Sequence, residues 1–300
     1  MPGSVEQYLR PDVIQQVQRL DLKARYIVEG FLSGLHASPF HGFSVEFSEH
    51  RKYTPGDDIR LIDWNVYGKT DRYYIRKFEA ETNLEAYLLV DNSASMDYSG
   101  GDRMTKMDYA ICLAAALGYM MIHQQDSVGL LTFDEKVRQF LPAKSKRAHL
   151  LNILSLLAAT KPAAKTDVAA AIHEAAERIR KRGLIILLSD LLTEDQPEVI
   201  DALHHLKYRG HDLMVFQVLD YSEYAFDFDG QVRFEEPESG EEMDVSPQSI
   251  RAGYLQALRE FIETYRSECQ AVRADFATVH NAMTFDKALI EFLVERQSRF

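Results

Sequence analysis

The chain has 300 residues, of which 46% are hydrophobic and 11% aromatic, and its formal net charge at pH 7 is −12. This composition is typical of a folded globular protein, and the negative charge disfavours binding to nucleic acid or to anionic lipid head groups. The longest apolar run, residues 110–122, is too short to cross a hydrocarbon core of about 30 Å, so we expect no membrane-spanning segment.

The first residues lack the basic-then-apolar order of a signal peptide. Cys112 and Cys269 are the only cysteines, and no CxxC motif is present. Neither a disulfide framework nor a thiolate zinc site is therefore expected, and a reducing, cytoplasmic location fits best.

Residues 1–83 are expected to form an amino-terminal α+β region that packs on the rest of the chain. The pattern predicts a helix over residues 11–32 and strands over residues 42–47 and 72–81. The segment 47–64 holds a Pro-Gly turn, paired aspartates and the only tryptophan, and its composition fits a structural turn or a partner-docking surface equally well.

Residues 84–300 alternate between short apolar runs and helical patterns, which predicts an α/β fold: a doubly wound, mostly parallel sheet with helices on both faces. The predicted buried strands are 84–91, 127–133, 183–190 and 212–220. The predicted helices between them are 106–125, 145–159, 167–183 and 196–210, two of which would end at Gly183 and Gly210.

Three further features complete this domain. Residues 136–142 are expected to pair back on the second strand as an antiparallel edge strand. Residues 221–247 are acidic and carry turn signals, which predicts a hairpin excursion on the surface. The pattern then predicts a helix over 248–271, a strand over 274–279 and a last helix over 284–297.

Oxygen-bearing side chains follow two of the predicted strands and precede one predicted helix. Asp91, Ser93 and Ser95 come at the end of the first strand, and Asp190 comes at the end of the third. Ligands of open parallel sheets lie beyond the carboxyl ends of the strands, near the point where the strand order reverses. If the two strands flank that point, Asp91 and Asp190 face each other, and the loop carrying Thr166, a natural helix N-cap, opens beside them.

Two carboxylates and three hydroxyls are hard oxygen donors, and no His or Cys accompanies them. This set suits Mg²⁺ or Ca²⁺, and less specifically Mn²⁺, and does not suit zinc. If the carboxylates act through water, the ion stays strongly electrophilic and attracts a further carboxylate, which another protein can supply.

Asp91, Ser93 and Ser95 match the DxSxS signature of the von Willebrand factor A-like fold, and Thr166 and Asp190 match the threonine and aspartate of its second and third loops. The sequence therefore resembles a domain with a complete metal ion-dependent adhesion site. The resemblance implies that Ser93, Ser95 and Thr166 bind the ion directly and that the two aspartates bind it through water.

The segments RKYTPGDDIRLIDW and VRFEEPESGEE extend the resemblance over almost the whole chain. They are similar to a bacterial family of unknown function with a von Willebrand factor A-like core, whose members are typically found with MoxR-type AAA ATPases. The resemblance implies an adaptor that works with such an ATPase in chaperone-like complex assembly or metal-cofactor insertion. An acidic side chain of the ATPase or its client would complete the metal shell, and Met96 and Asp97 are the first residues expected to contact it.

Three other interpretations stay open. The DxSxS residues are also typical of a turn or helix cap. A Mg²⁺-dependent hydrolase or phosphotransferase is a second alternative, although no phosphoaspartate motif, phosphate-binding glycine loop or nucleophile–base pair is evident, so no catalytic residue is assigned. A scaffold with a vestigial metal site is the third.

Overall fold

The computed structural model describes residues 45–54, 62–80, 85–123, 125–162, 167–193, 195–235, 242–285 and 287–288. These residues belong to two compact units, the first covering 45–80 and the second 85–288. The predicted helix over 11–32, most of the predicted helix over 284–297 and residues 55–61 of the 47–64 segment lie outside the described residues.

The smaller unit contains an antiparallel strand pair and a short helix. Its elements are β1 Val45–Lys52, α1 Trp64–Thr70 and β2 Tyr74–Ala80. β1 pairs with β2, with one irregularity between Phe47 and Glu49. The strand predicted over 72–81 is therefore confirmed. β1 shares only residues 45–47 with the strand predicted over 42–47, whose first three residues lie outside the described part, and it continues to Lys52.

The larger unit is built on a six-stranded sheet. The strands after β2 are β3 Glu85–Asp91, β4 Ser127–Phe133, β5 Val137–Lys144, β6 Leu184–Ser189, β7 Asp212–Leu219, β8 Val232–Glu235, β9 Glu242–Val245 and β10 Asp275–His280. The order in the sheet is β10-β7-β6-β3-β4-β5, with every pair parallel except the edge pair β4–β5. The predicted antiparallel edge strand is confirmed, and β8 and β9 form a separate hairpin.

Helices cover both faces of this sheet. They are α2 Lys106–His123, α3 Arg147–Ala159, α4 Val168–Arg178, α5 Gln196–Tyr208, α6 Tyr221–Ala225 and α7 Pro247–Ala271. Because successive side chains of a strand point to opposite faces, Leu88 and Val90 pack with α2, whereas Tyr87 and Leu89 pack with α4, α5 and α7. The predicted architecture, a doubly wound and mostly parallel α/β sheet with helices on both faces, is confirmed.

The strand order reverses between β3 and β6. From β3 the chain moves through β4 to β5 on one side, and it then returns to the other side for β6, β7 and β10. The connections that leave β3 and β6 therefore diverge and open a crevice at the carboxyl ends of these strands. Asp91 and Asp190 lie at this edge, as the sequence predicts.

Two glycines have different roles although both were predicted to end helices. Gly210, with a φ of +89°, follows α5 as predicted. α4 instead ends at Arg178, well before Gly183. A Cβ at position 183 would overlap the backbone carbonyl oxygen of Glu85 in the neighbouring strand β3, so Gly183 permits a close approach between strands.

Within the predicted excursion at 221–247 the structure has α6 followed by the β8–β9 hairpin, whose residues 236–241 lie outside the described part.

In the described ranges, no helix combines the length and the apolar character that crossing a bilayer requires.

We predict that Gly183→Ala lowers the free energy of unfolding by about 1–3 kcal/mol, because the new methyl group must displace backbone. Gly253→Ala is the matched control, since Gly253 lies in α7 with no atom within 4 Å of a Cβ there. This second change should stabilise the protein by about 0.5–1 kcal/mol. Urea denaturation followed by circular dichroism measures both, and equal effects at the two positions would contradict the packing argument.

Candidate metal centre

β3 ends at Asp91, whose carboxylate organises the loop that follows. The side chain is fully buried; its Oδ1 accepts a hydrogen bond from the backbone N–H of Ser93 at 2.9 Å, and its Oδ2 accepts one from the hydroxyl of Ser189 at 2.6 Å. The first bond closes a turn of the kind that aspartate forms with the backbone two residues ahead. The second bond fastens the end of β3 to the end of β6.

The two serines of the DxSxS motif present their hydroxyls together. Ser93 is the N-cap of a short 3-10 helix, Ala94–Asp97, and its hydroxyl forms a hydrogen bond of 3.0 Å with the hydroxyl of Ser95. Ser93 is buried and Ser95 is half-buried. The turn at Asp91 therefore brings both predicted hydroxyl ligands to one place.

Asp190, directly after β6, is the second carboxylate of the site and is 1% exposed. Its Oδ1 accepts a hydrogen bond from the backbone N–H of Leu192 at 3.2 Å, and its Oδ2 lies 2.9 Å from the ammonium nitrogen of Lys106. Burial, reinforced by the negative charge of Asp190, raises the pKa of Asp91 to about 7, although the hydrogen bonds from Ser189 and Ser93 oppose this. The charge of Asp190 therefore disfavours the ionised form of Asp91.

Lys106 and Glu223 are part of the site but were not predicted. Lys106 is the first residue of α2, and its Nζ lies 2.9 Å from Glu223 Oε1 as well as 2.9 Å from Asp190 Oδ2. Burial lowers the pKa of Lys106, but the negative charges of Asp190 and Glu223 outweigh it, so the pKa is raised and the ammonium stays charged.

The sequence carries a recognisable pattern around Glu223 but none around Lys106. Glu223 is the N3 residue of α6 and accepts a hydrogen bond from the backbone N–H of the N-cap Asp220, which makes D-Y-S-E a recognisable capping box. Lys106 gives no comparable signal, because a lysine at the start of a helix is usually exposed.

Asp220 has a structural role at the same edge. Its carboxylate is buried and accepts hydrogen bonds from the backbone N–H of Gly100, from the side chain and backbone of Ser222 and from the side-chain amide of Asn281. These bonds fasten the loop after the DxSxS motif to the ends of β7 and β10.

Thr166 lies outside the described residues, and its place in the site stays a prediction. The N-cap of α4 is Asp167, whose Oδ1 accepts a hydrogen bond from the backbone N–H of Ala170, and not Thr166 as the sequence suggested. The backbone N–H of Asp167 also donates to the carbonyl of Asp134, just past β4. This bond brings the start of α4 to the carboxyl edge of the sheet.

The predicted partner-contact residues differ in their exposure. Asp97 is exposed, whereas Met96 is 0% exposed and packs in the core with α2. Met96 therefore cannot contact a partner in this arrangement, because the 3-10 helix turns its side chain inward. Asp97 remains the predicted contact.

The described residues contain no group of three or more His, Cys, Asp or Glu side chains that could hold a metal ion. Cys112 and Cys269 are both buried, and no disulfide bond joins them.

The chain is similar to known proteins that are themselves described as uncharacterized. The uncharacterized proteins Mb1516 of Mycobacterium bovis and Rv1480 of Mycobacterium tuberculosis are each 30% identical to the chain over 255 residues, which cover 82% of this chain and 78% of theirs.

Two solved structures are similar at low sequence identity. BatB from Bacteroides thetaiotaomicron matches with 15% identity and a TM-score of 0.45, over 72% of this chain and 99% of that one. An aerotolerance-related membrane protein from Bacteroides fragilis matches with 17% identity and a TM-score of 0.46, over 71% of this chain and 99% of that one.

A family model described as "Protein of unknown function DUF58" matches residues 49–263. This match includes Asp91, Ser93, Ser95, Thr166 and Asp190, and it extends into the smaller unit. The chain therefore belongs to the DUF58 family.

Proposed function

We propose that the protein is a metal-dependent protein-interaction module. The observation that carries this proposal is the pair of hydroxyls of Ser93 and Ser95, 3.0 Å apart beside two buried carboxylates. Adjacent ligands of an octahedral Mg²⁺ ion, each about 2.1 Å from the metal, are about 3 Å apart. The two hydroxyls therefore have the spacing of neighbouring ligands.

The charges at this edge also favour a cation. Asp91, Asp190 and Asp220 are buried, and Glu223 is largely buried. Among the described residues, Lys106 is the one cation within ion-pair distance of any of these four carboxylates. Buried carboxylates in such excess attract a divalent ion, because burial makes uncompensated charge costly.

Each residue of the predicted set then has a defined part. Ser93, Ser95 and Thr166 would hold Mg²⁺ directly, and Asp91 and Asp190 would hold it through water. Each carboxylate oxygen of Asp91 and Asp190 accepts one hydrogen bond from the protein. The second lone pair of each oxygen remains available to a water molecule that binds the metal. Mn²⁺ or Ca²⁺ fits the same hard oxygen donors.

A bound ion would supply a positive centre for a carboxylate from another protein. Three hydroxyls leave one or more positions of the metal shell to water or to such a carboxylate. The family resemblance supports a MoxR-type AAA ATPase, or a client of that ATPase, as the protein that provides it. The module would then act as an adaptor in chaperone-like complex assembly or metal-cofactor insertion.

The alternative, a Mg²⁺-dependent hydrolase or phosphotransferase, has less support from the geometry. Asp91 is fully buried and both its oxygens accept hydrogen bonds, so the side chain is poorly placed to attack a phosphate. Turnover of model phosphate esters that needs Mg²⁺ and is abolished by Asp91→Ala would favour this alternative.

We predict that Mg²⁺ raises the melting temperature of the protein, because a ligand that binds only the folded state stabilises it. Ser93→Ala and Ser95→Ala should each reduce this increase, and the double variant should abolish it. Ser246→Ala is the control, since Ser246 is exposed next to the β8–β9 hairpin, and it should leave the increase unchanged. A Mg²⁺ effect that survives in the double variant would contradict the proposed ligands.

We also predict a pH dependence of the metal-free protein. The pKa of Asp91 is raised to about 7, so between about pH 4 and pH 7 the folded state keeps a proton that the unfolded state releases. Stability should therefore fall as the pH rises through this window, by at most about 1.4 kcal/mol per pH unit. Urea denaturation in EDTA measures this, and Asp91→Asn is the control that should lose the effect. A wild-type stability that rises relative to this control over the same window would contradict the assignment.

For the function itself, we predict that the MoxR-type ATPase of the source organism or its client co-purifies with the protein in Mg²⁺ and is lost in EDTA. The Ser93→Ala/Ser95→Ala variant should lose it in both buffers, because the ion links the two proteins. Ser246→Ala should capture it as the wild type does. Capture that is indifferent both to EDTA and to the serine substitutions would contradict metal-dependent interaction.

A further inference from the structure

The candidate site contains a positive charge of its own. The side chain of Lys106 is 1% exposed, and its ammonium nitrogen lies 2.9 Å from both Asp190 Oδ2 and Glu223 Oε1. Asp190 is one of the carboxylates proposed to hold the metal through water, whereas Glu223 is not. Lys106 therefore links the metal site to a carboxylate outside it.

The position of Lys106 is unfavourable for a lysine in two respects. It is the first residue of the 18-residue helix α2, where the helix dipole disfavours positive charge. Its ammonium is also removed from water, which is costly unless ionised partners surround it. The two carboxylates offset both costs, so the location is explained by its charge partners and not by the helix.

The lysine is also held in place by its surroundings. Its backbone N–H donates to the carbonyl of Tyr98, and its ammonium lies 5.9 Å from the centre of the Tyr98 ring. Glu223 is fixed in turn by the α6 capping box, in which it accepts a hydrogen bond from the backbone N–H of Asp220. The ammonium is thus directed at Asp190 by a connected set of contacts.

We infer that Lys106 is a resident cation of the metal site, which neutralises Asp190 when no metal is bound and weakens the site's affinity for a divalent ion. This inference rests on the proposed function and deepens it. A metal ion held near Asp190 is repelled by the ammonium. An acidic side chain from a partner interacts favourably with both positive charges, so the metal and the acidic partner should bind more tightly together than separately.

The test compares Mg²⁺ binding in the wild type, in Lys106→Met and in Lys207→Met. Methionine has a similar length and no charge. Lys207 is the matched control, because it also pairs with an aspartate, Asp212, at 3.2 Å, but at the amino-terminal end of β7, the opposite edge of the sheet. Isothermal titration calorimetry with MgCl₂ gives the affinities, and thermal melting in EDTA and in Mg²⁺ gives the stabilities.

We expect Lys106→Met to bind Mg²⁺ at least tenfold more tightly than the wild type, and Lys207→Met to match the wild type. In EDTA, Lys106→Met should melt at a lower temperature than the wild type, and Mg²⁺ should raise its melting temperature by more. A lysine that served only the fold would lower the melting temperature without tightening metal binding.

Lys106→Met leaves two carboxylates without their counter-charge and could prevent folding. The double variant Lys106→Met/Glu223→Gln removes one of these carboxylates and leaves Asp190 for the metal. Tighter Mg²⁺ binding by this variant supports the inference in the same way.

The outcomes separate this inference from the proposed function. If the wild type binds Mg²⁺ and neither Lys106 variant binds it more tightly, the inference is overturned and the proposed function stands. If only the Lys106 variants bind Mg²⁺, the inference stands and metal dependence of the wild-type module fails. If no form binds Mg²⁺, both are overturned.

Discussion

The organisation of this protein depends on negative charge buried where β3 and β6 end. Asp91 is the last residue of β3, Asp190 directly follows the neighbouring parallel strand β6, and both side chains are almost completely shielded from water. Carboxylates in such a position need hydrogen bonds and positive charge to remain ionised. The backbone N–H groups of Ser93 and Leu192, the hydroxyl of Ser189 and the ammonium of Lys106 supply part of this compensation.

The fold itself brings these buried carboxylates together, without any ligand. The strand order reverses between β3 and β6, so the chain leaves the two strands in different directions and opens the carboxyl edge. Asp220 then fastens the loop after the DxSxS motif to the ends of β7 and β10. Adjacent hydroxyls and an excess of buried carboxylates at this edge support our proposal that the protein holds a divalent cation there and, through it, an acidic group of another protein. In the proposed complex, the metal ion and the ammonium of Lys106 would share the carboxylate of Asp190 and the acidic group of the partner protein.

The sheet and the core of the site could be predicted from sequence because their signals are local. Apolar runs mark the strands, and the turn at Asp91 follows from an aspartate and a serine two residues apart at a strand end. The burial of Met96 was missed because the 3-10 helix Ala94–Asp97, which begins three residues after the end of the strand, decides where that side chain points. The end of α4 was missed because Gly183 serves contact with Glu85, a residue almost a hundred positions earlier in the chain.

Lys106 is the clearest case of a contact that the sequence does not predict. Nothing near it in the sequence predicts burial, and its two partners are 84 and 117 residues away along the chain. Such a contact follows only from the sheet order, which places the starts of α2 and α6 at one edge. Glu223, by contrast, could be predicted as a capping residue, because the capping-box pattern begins at Asp220.

The most direct test of the central claim is a crystal structure of the protein grown with Mn²⁺ and recorded at a wavelength where manganese scatters anomalously. The account predicts one strong anomalous peak at the carboxyl edge, in direct contact with the hydroxyls of Ser93, Ser95 and Thr166, with water between it and Asp91 and Asp190. A fully ordered edge with no peak, or a peak held by other residues, would contradict it.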